Sequence, residues 1–124
     1  ILLLLRYKLQ RTRLCIDKGF ATDNAKCSAQ IKVVEDLLLK VDNDDYYEEA
    51  VKPFHKKYGK PKMVTKPYTD NTHLLQFIYK NGKEATPAMN KQLRALHDKA
   101  FENRKADLKK AFDLIVENIW SWWD

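Results

Sequence analysis

Apolar residues recur at helical spacing along most of the chain. Leu2, Leu5, Leu9 and Ile16 share one face, with Leu3, Leu4 and Leu14 beside it, so residues 1 to 18 read as a helix. Gly19 suits a left-handed terminal position, with Phe20 just beyond it. Thr22, Asp23 or Asn24 can cap the next helix. Cys27, Ile31, Val34, Leu38 and Val41 then follow at alternating spacings of four and three, and Val33 and Leu37 widen the stripe. The two segments predict an N-terminal antiparallel helical hairpin turning near Ala21.

Asp42 to Asp45 breaks the pattern and begins a third helix, expected from about Asp44 to Tyr58. Pro53 falls inside it and predicts a kink or two shorter helices. Gly59 and Pro61 end it. Residues 60 to 71 read as irregular or as a short strand, which Pro67 would confine to a sheet edge.

Residues 72 to 85 admit two readings. Leu74, Leu75, Phe77 and Ile78 fit a helix capped by Thr72 and ended by Gly82, the preferred reading. The same residues are rich in strand formers, and Asn81-Gly82 is a hairpin signal, so a short β-hairpin around 63–85 is the alternative. Thr86-Pro87 starts a final segment to about Trp123, one long helix or two in line. Met89, Leu93, Leu96 and Ala100 make one stripe. Phe101, Leu108, Phe112, Ile115, Ile119 and Trp122 make a second, offset by one residue. That offset predicts that Ala100 and Phe101 meet different elements, and that Phe112 is core. The fold expected is mainly α: a single-domain helical bundle of four to five helices over residues 1–124.

Composition changes this picture little. A length of 124 residues suits one domain, and 44% hydrophobic with 32% charged residues is a globular balance. The net charge of +6 widens the range of partners to nucleic acid, an anionic membrane or an acidic protein. "ILLLL" is too short to span a bilayer. It reads as the first turns of an amphipathic helix, and membrane association is expected only through a segment upstream, such as an anchor or a cleaved signal peptide.

Candidate chemistry is sparse. Cys15 and Cys27 stand equally far from Ala21, at one height in the predicted hairpin, and are a candidate disulfide. A bridge would imply an oxidising, extracytoplasmic compartment, and two free thiols a cytoplasmic one. His55, His73 and His97 have no metal-ligand spacing, and no phosphate loop or hydrolase motif occurs, so neither a cofactor nor a catalytic residue is assigned. Residues 42 to 49 hold five acids and no base. The next stretch carries Lys52, Lys56, Lys57, Lys60, Lys62 and Lys66 without an acid, interleaved with Phe54, His55, Tyr58 and Tyr68. Such a face can grip phosphates, or it is a solvated helix end.

If residues 72 to 80 are helical, they and the Thr-Pro helix form a helix-turn-helix-like segment at 72–100. This outline resembles, in general form, the core of winged-helix regulators, over residues 74 to 93 and with no wing following. The resemblance implies that Asn90, Lys91 and Arg94, off the apolar stripe, face nucleic acid. At the C-terminus, Trp120 and Trp123 are candidate apolar anchors. The first expectation is therefore a non-catalytic protein-interaction module. The alternative is a basic nucleic-acid-binding protein.

Overall fold

The structure, a computed structural model, describes residues 1–19 and 23–123 and all their side chains except those of Asn81 and Trp123. Among the described residues the order is α1 (Leu2–Asp17), α2 (Asn24–Asn43), α3 (Tyr46–Tyr58), β1 (Lys62–Thr69), β2 (Thr72–Ile78), a 3-10 turn (Lys80–Gly82) and α4 (Pro87–Trp123). The protein is mainly α, a helical bundle with one two-stranded antiparallel sheet. Two compact units are present: Ile1–Asp45 with Glu102–Asp124, and Tyr46–Phe101.

In the first unit, α1 and α2 form the helical hairpin. Leu9, Ile31, Val34, Leu38, Ala111 and Trp122 are its buried core, flanked by Leu2, Leu5, Ile16 and Leu37. Apart from Ala111, these belong to the stripes that the spacing predicts. Burying a residue such as Leu38, wholly out of solvent, stabilises by roughly 1.5–3 kcal/mol. Gly19 does not take the left-handed conformation. The helix ends one residue earlier, at Lys18 in right-handed geometry, and the Gly19 N–H donates to Ile16 O at 3.0 Å. The expectations placed on Phe20, Ala21 and Thr22 lie outside the described residues. The left-handed cap belongs to Asp44 instead, at φ 54°, whose N–H donates to Lys40 O and whose carboxylate meets Arg104 Nη1 at 3.3 Å.

The cysteines are both free, Cys15 exposed and Cys27 half-buried. Equal distance from a turn sets height along a hairpin but not direction around each helix axis. Cys15 lies beside the inward residue Ile16, a turn of about 100° off the stripe. Cys27 packs against the core, its thiol 3.8 Å from Ser121 O. The ground for inferring an oxidising compartment lapses with the bridge.

α4 runs unbroken through the junction of its two stripes. In the first unit its inward face keeps Leu108, Ile115 and Trp122 of the expected stripe but takes in Ala111 where Phe112 was expected. Ala111 is wholly buried and Trp122 is 5% exposed, whereas Phe112 is 42% exposed. Ala111 sits inward in the cluster with Leu38 and Trp122, and its bulky neighbour Phe112 lies toward solvent.

In the second unit, α3 is one helix with Pro53 inside it, so the two shorter helices allowed for do not form. Its Phe54 and Tyr58 meet Tyr79, Met89, Leu93 and Leu96 in the unit's core. Gly59 ends the helix at φ 81°, donating its N–H to His55 O at 2.8 Å. The stretch preferred as a helix is strand β2, so the hairpin alternative holds. It turns at Asp70-Asn71, where the Thr69 and Thr72 hydroxyls also meet. Pro67 is tolerated because a two-stranded ribbon has only edges, and the register slips between Pro67 and Thr69. Asn81-Gly82 makes the next reversal, with a bridge between Ile78 and Glu84 and the Tyr79 N–H donating to Lys83 O at 2.9 Å.

Candidate interaction surfaces

The hairpin register sorts its side chains into two faces, because directly paired residues point the same way and neighbours alternate. Met63 pairs with Phe77, Thr65 with Leu75 and Pro67 with His73. That face is therefore apolar apart from Thr65 and His73. Met63 is 65%, Leu75 58% and Phe77 52% exposed. The opposite face pairs Lys62 with Ile78, Val64 with Gln76 and Lys66 with Leu74. No residue of β1 is buried, and in β2 only Gln76 and Ile78 are even half-buried. Sequence reasoning missed Met63, Leu75 and Phe77 as a group. An alternating period was available as a signal, but the helical reading assigned Leu75 and Phe77 inward.

The six lysines of the predicted basic face are spread over α3, the segment after it and β1. Lys62 and Lys66 lie on the hairpin face that also carries Val64, Leu74 and Ile78, and Lys66 Nζ meets Glu84 at 3.3 Å. Lys52 and Lys60 line a hollow of about 290 Å³ with Tyr47 and His55. Lys57 places its ammonium 4.9 Å from the Tyr58 ring centroid and lines a different cavity of about 450 Å³ with Lys80 and Lys83. Lys56 is exposed.

Asn90, Lys91 and Arg94 are exposed on α4 while Met89 and Leu93 turn into the core. The helix that should precede them in a helix-turn-helix is strand β2, so that motif is not formed. The resemblance to winged-helix regulators goes with it. At the other end of α4, Trp120 is 79% exposed. Trp122 is buried and donates its indole N–H to Gln30 Oε1 at 3.2 Å. Trp123 belongs to the helix, and its side chain lies outside the described residues.

Among the described residues no group of three or more His, Cys, Asp or Glu side chains is placed to hold a metal ion. No helix among them is long and apolar enough to cross a membrane. The Tyr79 phenol is displaced upward, first by burial and then by the neighbouring Tyr47.

No protein-family model, curated protein or solved structure matches this chain.

Proposed function

We propose that the chain is a non-catalytic interaction module that docks a protein partner on the apolar face of its β-hairpin. The observation that carries this reading is the side-by-side exposure of Met63, Leu75 and Phe77 on the hairpin face whose paired residues are all exposed. Contiguous exposed apolar side chains mark interaction surfaces more often than isolated ones do. The open backbone edge of β1 adds main-chain donors and acceptors to which a partner strand can pair. Trp120 is a second anchor, and the lysines of α3 supply electrostatic steering toward an acidic partner.

A photo-reactive residue in place of Leu75 should cross-link a specific protein in extracts of the native source. Phe77→Ser should abolish that product and Trp120→Ala should weaken it. Charge reversal at Lys56, Lys57 and Lys60 should chiefly slow association. Cross-linking that survives Phe77→Ser unchanged would remove the hairpin from the reading.

A second reading rests on the hairpin's form. A two-stranded ribbon fits the DNA major groove, and Lys62 and Lys66 lie on one of its faces. Retention on duplex DNA, single-stranded DNA or RNA should then weaken steeply with salt, by a log–log slope of about −0.9 per phosphate contacted on duplex. Absence of retention at low salt eliminates it.

A further inference from the structure

The cavity of about 450 Å³ in the second unit is built differently from the hairpin surface. Its volume falls within the roughly 300–1,000 Å³ of small-molecule sites. Its wall is Tyr58, Tyr79 and Met89, which are also that unit's core and are therefore held in place. Phe54 backs both tyrosines, with ring centroids 4.7 Å from Tyr58 and 5.8 Å from Tyr79. The cavity thus has an aromatic side that does not depend on a ligand to form.

Its rim is cationic. Lys57, Lys80 and Lys83 converge there against one acid, Glu84, whose carboxylate is engaged by Lys66. The Lys57 ammonium lies over the Tyr58 ring, a contact that an incoming ring or anion can exchange. The first turn of α4 also lines the cavity. Pro87 has no N–H, the Met89 N–H donates to Thr86 Oγ1 at 3.2 Å, and the Asn90 N–H donates to Thr86 O at 3.0 Å. This leaves the Ala88 N–H at the positive end of a long helix.

A further observation comes from Tyr79. It is only 7% exposed, yet among the described residues no hydrogen bond reaches its hydroxyl. The Tyr79 side chain lines this cavity, so its hydroxyl is available to an entering group. A phenol displaced upward from 10.0 is neutral at pH 7 and can donate to whatever enters.

We propose that this cavity binds a nucleoside monophosphate, its base against the Tyr58–Tyr79–Met89 wall and its phosphate among Lys57, Lys80, Lys83 and the start of α4. A phosphate dianion matches several lysine point charges and a helix N-terminus, where a single carboxylate would leave cations unpaired. A planar base matches the rigid aromatic wall. The site is independent of the hairpin's apolar face.

The test titrates the full chain with AMP, GMP, CMP and UMP, followed by calorimetry and amide NMR, with adenosine and inorganic phosphate as controls. At least one monophosphate should bind and shift the Lys80, Lys83, Ala88 and Met89 amides. Adenosine and phosphate should each bind roughly tenfold or more weakly. Lys83→Gln should weaken binding by roughly tenfold, the loss of one charge-assisted contact. Lys80→Met, which keeps the aliphatic stem packed near Gly59, should do the same without lowering the melting temperature. Phe77→Ser should leave nucleotide binding unchanged. The proposal is overturned if none of the four shifts those amides, if adenosine or phosphate alone binds as tightly, or if both lysine variants bind normally.

Discussion

Arg13 Nε donates to Glu35 Oε1 at 3.1 Å, joining α1 to α2 where the glutamate is 6% exposed. Arg13 reaches Asp17 as well, at 3.4 Å. Glu35 is the buried charged residue on the inward side of α2, adjacent to Val34 and Leu38. Removing one partner of such a pair leaves a buried charge uncompensated. Arg13→Ala, which leaves the Glu35 carboxylate buried without its partner, should therefore lower the unfolding free energy by about 3 kcal/mol, read by urea denaturation. The double variant Arg13→Met/Glu35→Leu should recover most of that loss, since apolar replacement of both partners is often neutral. A double variant no better than the single would mean that the pair itself, and not the orphaned charge, sets the stability.

Gly59 and Gly82 separate two effects of a Cβ. Both have positive φ, 81° and 68°. A Cβ at Gly59 would lie 2.7 Å from Lys80 Cγ, while nothing lies within 4 Å at Gly82. Gly82→Ala should cost about 1 kcal/mol, from backbone strain alone. Gly59→Ala should cost more, and Lys80→Ala in that background should restore part of the difference. Equal melting temperatures for the two glycine variants would contradict this.

Tyr79 predicts an alkaline weakness. Its phenol is raised above the ordinary value of 10.0, by burial first and by Tyr47 second. The folded state thus holds its proton where the unfolded state releases it. Its contribution is fully present below pH 10 and is lost as pH rises above that value toward the folded pKa. Tyr79→Phe should leave stability near neutrality within about 1 kcal/mol, because no hydrogen bond is given up. It should also flatten the fall in melting temperature above pH 10. An unchanged alkaline profile would assign that fall to other groups.

Trp122 and Phe112 should differ sharply although both were expected in one stripe. Trp122→Ala removes a buried ring and its bond to Gln30, and should cost roughly 3–5 kcal/mol. Phe112, 42% exposed, should cost under about 1.5 kcal/mol on replacement by alanine. Ala111→Leu, which overfills a wholly buried position, should cost about 1–3 kcal/mol. Chemical denaturation of the three variants gives the ranking directly.

The two thiols should remain separate. Maleimide should label exposed Cys15 in the native protein well before half-buried Cys27, and denaturation without reductant should expose both. Purification of the chain with a quantitative Cys15–Cys27 bridge would contradict the geometry.

Periodicity in the sequence determined the helices and much of the first core. Leu9, Ile31, Val34 and Leu38 are buried because a repeat of three and four residues puts them on one face of a helix, a property of the backbone alone. The same reasoning located Met89, Leu93 and Leu96, and the end of α3 at Gly59. What it left open was direction around an axis and the state of short apolar runs. Equal spacing put Cys15 and Cys27 level, but rotation about each helix is set by which residues pack, and Ile16 rather than Cys15 turned inward. On α4 it was Ala111 and not Phe112 that turned inward, because packing within the unit sets the rotation of the helix and no single helix encodes it. Residues 72–78 carry a pattern compatible with helix or strand, and pairing with β1 decided it, through a register that runs from Thr69↔Thr72 out to Lys62↔Ile78. The candidate surfaces followed from that decision. Met63, Leu75 and Phe77 share a face only once the register is fixed, and Lys57, Lys80 and Lys83 meet around one cavity only once α3, the turn after β2 and the loop before α4 are folded together.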